Sequence, residues 1–227
     1  MKNENLNTAK TYFESLFEKY GIDEKSLGWS KNKQEVRFEQ LFKYIKQTNV
    51  SVLDVGCGFG DLYSYLENCG NYDRLDYCGI DIVDSFIEVA NKKHAHKENV
   101  QFQCTSLMTM NQEQSWDWVV ECGLFGLMIY DTEEQMYQYL EESMKKAFAL
   151  SKQGISFNFL SDKVDYRTSG TDFHVSPERV LQMAYGLSRR VILDNSVMPF
   201  EFNLTVWKND TFSTGTTLFY DYLKEKQ

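Results

Sequence analysis

Apolar positions recur along this chain with two periods, and the alternation of those periods predicts its fold class. Leu6, Ala9, Phe13, Leu16, Phe17 and Tyr20 share one face of a helix over residues 6–20, and Gly21 stands where a C′ glycine ends it. Phe38, Leu41, Phe42 and Ile45 do the same for a second helix over 34–46. From Val50 the pattern changes. Residues 50–55 form a short apolar run ending at Gly56, and a helical stretch over 61–69 follows. Residues 76–82 read as strand, 85–93 as helix, 100–104 and 116–122 as strands, 133–150 as a long helix and 155–160 as strand. A helix over 177–187 starts behind Ser176, a good N-cap, with Pro177 at its first position. Strands alternating with helices predict an α/β protein whose parallel sheet is covered on both faces. The last two strands, 190–194 and 201–207, have only a short link between them and are expected to pair antiparallel.

At 227 residues the chain suits one core. It has only two prolines, and no repeat or linker divides it. No apolar run is long enough to cross a bilayer, and the polar residues 1–10 lack a signal peptide's apolar stretch. The expected location is the cytoplasm, with no membrane partner. Five scattered cysteines without a CxxC pair read as reduced thiols, and no metal site is expected. A net charge of −9 argues against holding nucleic acid by its phosphates.

The segment most informative about function joins the first sheet strand to the helix behind it: Val52-Leu53-Asp54-Val55-Gly56-Cys57-Gly58-Phe59-Gly60-Asp61-Leu62. In doubly wound folds this turn lies at the carboxyl edge of the sheet, where ligands bind. Its glycines run GxGxG rather than the GxGxxG that seats a pyrophosphate. Asp54, two residues before the first of them, would repel a pyrophosphate but suits an ammonium group. About twenty residues beyond the loop, Tyr77-Cys78-Gly79-Ile80-Asp81-Ile82 is an apolar strand ending in an acid that can accept both hydroxyls of a ribose.

This loop resembles the first motif of the class I S-adenosylmethionine (SAM)-dependent methyltransferases. Residues 100–107, VQFQCTSL, resemble that family's VxFxxxDL segment, with Ser106 where the family has an adenine-contacting aspartate. Residues 116–121, WDWVVE, resemble its fourth strand, whose end borders the transferred methyl; Glu121 holds a place often taken by a small or polar residue. The resemblance spans about residues 50 to 160. It implies a doubly wound, seven-stranded, mostly parallel sheet in the order 3-2-1-4-5-7-6, last strand antiparallel, with an N-terminal helical lid. The expected organisation is one domain: helices and lid over 1–48, the SAM-binding core over 49–210 and a tail over 211–227. The expected cofactor is SAM, leaving as S-adenosylhomocysteine. The cofactor contacts implied are Asp54, Gly56, Gly58, Gly60, Asp81, Ile82, Ser106, Leu107 and Glu121, with Arg37 pairing its planar fork with the methionine carboxylate.

Methyl transfer requires alignment of acceptor and methyl more than a fixed catalytic group. Glu121 and His174 are the candidates for a base. Trp29, Gly123, Phe125, Tyr166 and His174 are the candidates for contact with the acceptor, expected to be a small molecule methylated on oxygen or nitrogen. The alternatives are an aminopropyl-type transferase on the same fold, a nucleotide-binding oxidoreductase, and a non-catalytic SAM-binding protein.

Overall fold

The computed structural model describes residues 2–28, 34–165 and 171–208. Trp29, Tyr166 and the 211–227 tail lie outside the described residues. The helices are α1 (Lys2–Tyr20), α2 (Gln34–Phe42), α3 (Asp61–Cys69), α4 (Asp84–Lys93), α5 (Glu133–Leu150) and α6 (Pro177–Tyr185). The strands are β1 (Asn49–Val55), β2 (Arg74–Asp81), β3 (Val100–Cys104), β4 (Trp116–Cys122), β5 (Ser151–Leu160), β6 (Val191–Asp194) and β7 (Glu201–Trp207). They form one sheet in the order β3-β2-β1-β4-β5-β7-β6. The first five strands pair parallel, and β7 runs antiparallel to both β5 and β6. The doubly wound order implied by the resemblance is therefore the order observed.

Successive residues of a strand point to opposite faces, and that period of two sorts the core. Leu53 and Val55, with Ile80, Val119 and Phe157, pack beneath α5 and α6. Val50 and Val52, with Tyr77, Trp118 and Val120, pack beneath α2, α3 and α4. Asp54 thereby shares the Val52 face, while Glu121 shares the Val119 face.

Local chemistry sets most helix ends. Thr132 and Gln135 form a reciprocal capping box at the start of α5, and the Ser176 hydroxyl accepts the Arg179 amide at the start of α6. Several boundaries differ from the sequence pattern, and hydrogen bonds account for two of the larger differences. Helix α2 stops at Phe42 because the next amides tighten: Lys43 N donates to Gln40 O (3.3 Å) and Ile45 N to Phe42 O (3.0 Å). Strand β5 starts at Ser151, directly behind α5, where Trp116 pairs with Ser151 and Lys208 N reaches Gln153 O at 2.7 Å. Sheet partners, not side-chain pattern, extend that strand.

Helix α1 lies over α4 and the glycine loop. Phe17 meets Phe59 at 5.9 Å and Phe86 at 5.8 Å between ring centroids, and Lys10 pairs with Asp84. A 3-10 turn, Glu24–Leu27, continues this layer. Among the described residues no helix is long and apolar enough to cross a membrane.

Candidate functional site

The turn after β1 must reverse from strand to helix within five residues, and three glycines in the left-handed region accomplish it. Gly56, Gly58 and Gly60 have φ of +77°, +53° and +74°. The start of the loop is tied to β2, where the amides of Gly56 and Cys57 both donate to Ile80 O (2.8 and 3.0 Å). Its middle is tied to the acid ending β2. Gly58 N donates to Asp81 Oδ2 at 3.1 Å, and Val83 N to Asp81 Oδ1 at 3.0 Å. Burial pushes the Asp81 carboxyl up, and the amides of Val83, Gly58 and Ile82 pull it back.

A cleft of about 1090 Å³, open mouth included, lies along the carboxyl ends of β1, β2 and β4. Gly56 and Gly58 line it, and the charged groups among its described lining residues are Asp54, Asp61 and Asp81. Asp54 is buried and accepts a hydrogen bond from the Tyr77 hydroxyl. Burial raises its carboxyl from the ordinary 3.8 to about 7, against the pull of that hydroxyl and with the Asp81 and Asp61 charges adding to the rise. The phenol in turn is pushed well up by burial and by the Asp54 charge. Ile82, Ser106, Leu107 and Gly123 also line the cleft. The Ser106 hydroxyl lies 3.2 Å from the Thr109 hydroxyl at the head of a 3-10 turn, Leu107–Thr109.

Five of the residues singled out in the sequence do not line this cleft. Gly60 turns away from it; a Cβ there would sit 2.7 Å from Phe102 Cζ, so the glycine makes room for the ring beneath the loop. Arg37 is buried and points its fork at Glu201, with Nε 2.6 Å from Oε2 and Nη2 bonded to Oε1. The fork expected to hold a carboxylate of the ligand holds one from the start of β7 instead. Glu121 is fully buried on the α5 face; its Oε1 accepts the Leu124 amide, and its Oε2 has no hydrogen-bond partner among the described residues. Burial drives its carboxyl well above the usual range, which favours the neutral acid, and its bond to the Leu124 amide pins the turn after β4. Phe125 is 1% exposed and stacks on Phe157 and Phe159 at 6.1 and 5.9 Å, which makes it core. His174 bonds through Nδ1 to Ser161 O at 2.7 Å, at the end of β5.

Other residues come to the cleft that the sequence did not single out as part of a site. Leu6, Ala9 and Phe13 of α1, Leu27 of the 3-10 turn and Tyr139 of α5 all line it. Leu27 sits over the loop so closely that a Cβ on Gly58 would lie 2.9 Å from its Cδ2. Their apolar character was the only signal in the sequence, and it does not distinguish the roof of a cleft from a core.

Residues 52–147 match the model of a methyltransferase domain family. The chain is similar to a Mycobacterium tuberculosis protein named "Putative methyltransferase Rv1506c", at 26% identity over 160 residues, 70% of this chain and 93% of that protein. Among solved structures it resembles the magnesium protoporphyrin IX methyltransferase of Synechocystis PCC 6803 with bound S-adenosylhomocysteine. That likeness has a TM-score of 0.65 at 12% identity and covers 90% of this chain and 100% of the other. It also resembles the N-methyltransferase NodS of Bradyrhizobium japonicum WM9 in complex with S-adenosylhomocysteine (TM-score 0.61, 15% identity, 89% and 100% covered). At such identities the two structures speak for the fold alone.

Proposed function

We propose that this chain is a class I SAM-dependent methyltransferase that transfers a methyl group to an oxygen or nitrogen of a small-molecule acceptor. SAM supplies the methyl on a sulfonium. The observation that carries the assignment of the site is the pair of acids at the glycine loop, one just before it and one bonded to its middle. Asp54 is a buried carboxyl in need of a cation, and Asp81 is held at the tip of β2 beside Gly58. In this reading Asp54 takes the ammonium, Asp81 takes the ribose hydroxyls, and Gly56 and Gly58 let the backbone approach the ligand. Ile82, Ser106 and Leu107 bound the adenine side, and Gly123 leaves room beside the methyl. An acceptor that fits under α1, between Leu124, Leu127, Ile129 and Tyr139, is small and largely apolar. Among the described lining residues there is no Lys, Arg or His to receive an anionic acceptor.

Calorimetry with SAM, S-adenosylhomocysteine and NAD tests the cofactor reading, and binding of NAD in place of SAM would overturn it. Release of S-adenosylhomocysteine across a panel of amines, phenols and nucleic acids tests the acceptor. Turnover confined to nucleic acid would exclude a small molecule. Asp81→Asn keeps one acceptor oxygen, loses the charge and leaves either the Gly58 or the Val83 amide without its acceptor, so SAM binding by the folded protein should weaken at least about tenfold, with some loss of stability. Unchanged affinity would place Asp81 outside the site.

Arg37 gives a control with the opposite signature. A lysine cannot reproduce the two-pronged contact with Glu201, so Arg37→Lys should cost about 1–2 kcal/mol of stability, read from the urea midpoint. SAM affinity of the folded protein should stay as it was. Weakened binding without lost stability would return Arg37 to the ligand.

A further inference from the structure

We propose that His94 is a positioning residue for the cofactor loop, its Nε2–H holding the Gly60 carbonyl and thereby the loop's exit into α3. His94 follows the last turn of α4 and is 6% exposed. Its Nε2 lies 3.2 Å from Gly60 O. A carbonyl can only accept, so Nε2 carries the proton in this bond. The Ser64 hydroxyl stands 3.4 Å from the same nitrogen and 3.4 Å from the same carbonyl, closing a three-membered network. The ring stacks on Phe102 at 5.4 Å and meets the edge of Tyr63 at 4.8 Å. Burial first, then the Lys93 charge, lower its pKa, which favours the neutral ring.

The loop is otherwise anchored at its entrance, to Ile80 O, and at its middle, to Asp81. At its exit Gly60 has φ of +74° and no side chain to cap α3. The last peptide is held within its own turn, with Gly60 N donating to Cys57 O (2.9 Å) and Ser64 N to Gly60 O (3.3 Å). His94 and Phe102 add the contact from outside that turn; a Cβ on Gly60 would lie 3.1 Å from His94 Cδ2 and 2.7 Å from Phe102 Cζ. A histidine that only filled space would need the ring and not the donor, and the two parts can be separated by substitution. His94→Phe keeps a stacking ring and removes the donor. His94→Gln keeps an N–H at a similar reach and removes the ring.

The test has two readouts. Hydrogen exchange of amides 57–61 in the ligand-free protein should be about tenfold faster in His94→Phe, with a thermal midpoint near that of the parent, and slower again in His94→Gln. Calorimetry should show SAM bound about five- to tenfold more weakly by His94→Phe and near-normally by His94→Gln. Parental exchange and affinity in His94→Phe, or His94→Gln no better than His94→Phe, would overturn the proposal. Should His94→Phe fail to fold, His94→Asn against His94→Gln replaces it, because only the longer amide reaches Gly60; equal exchange in those two would overturn it as well. The affinity arm rests on the SAM reading given above, whereas the exchange arm does not. Parent protein that failed to bind SAM would therefore sink that reading and leave this one to be decided by exchange.

Discussion

Gly58→Val is expected to leave a folded protein that binds SAM at least about a hundredfold more weakly. The backbone at Gly58 has φ of +53°, which a β-branched residue adopts only at a cost of roughly 1–3 kcal/mol. The new Cβ would lie 2.9 and 3.2 Å from the two methyls of Leu27, and valine adds two more carbons beyond it. Either the peptide turns, breaking the bond from Gly58 N to Asp81, or Leu27 is driven into the cleft that it roofs. Both outcomes act on the ligand's space, and neither is relieved by a small shift. The core strands carry the fold independently, with Leu53, Trp118 and Val119 fully buried away from the loop. Gly58→Ala provides the graded control: its strain is smaller and Leu27 need yield only a few tenths of an ångström, so about a tenfold loss is expected. Thermal unfolding and calorimetry on one preparation separate binding from folding. A folded Gly58→Val protein with ordinary affinity would show that the ligand does not lie against this turn.

What the sequence revealed of this site follows from how local each requirement is. The glycine spacing and the acid at the end of β2 are demands of a single turn and a single strand end, and both stand in the structure where the pattern put them. Helices α3 and α5 and strands β3, β4 and β7 have the bounds that their periodicity predicts, since their caps and turns are built from neighbouring residues. The failures are long-range. Arg37 is engaged by a residue 164 positions away, and no pattern around residue 37 announces Glu201. Leu27 reads as one more apolar residue until the fold sets it above Gly58. Glu121 and Phe125 were misplaced for a different reason. Strand parity sends Glu121 to the α5 face, and the 3-10 turn that follows carries Phe125 into the aromatic stack rather than the cleft. His94 stands among lysines, where nothing in the sequence marks it as buried, yet the end of α4 tucks it under the loop.

SAM affinity should rise steeply with pH up to about 7 and level off above it, and Asp54→Asn should abolish the rise. The cause is the Asp54 carboxyl, raised from 3.8 to about 7 chiefly by burial. Ionising it without a countercharge opposes folding. In the ligand-free protein its contribution to stability is therefore fully present below about pH 3.8 and is lost as pH climbs through about 7. A bound ammonium reverses that balance, because it favours the carboxylate and expels the proton. Binding then releases a proton wherever the free protein holds one. If the neutral acid gives the ammonium little, affinity at pH 5 falls short of the plateau by up to about a hundredfold, a tenfold loss per unit below the carboxyl's pKa. Calorimetry near pH 6 in buffers of different ionisation heat should register release of nearly one proton. Asp54→Asn retains an acceptor for the Tyr77 hydroxyl and has nothing to titrate. It should bind with the weak affinity of the protonated parent at every pH, and its unliganded stability should no longer decline from this source between pH 4 and 7. A parent protein whose affinity is flat from pH 5 to 8, with no proton released, would mean that the ammonium lies elsewhere and that Asp54 serves only to anchor Tyr77.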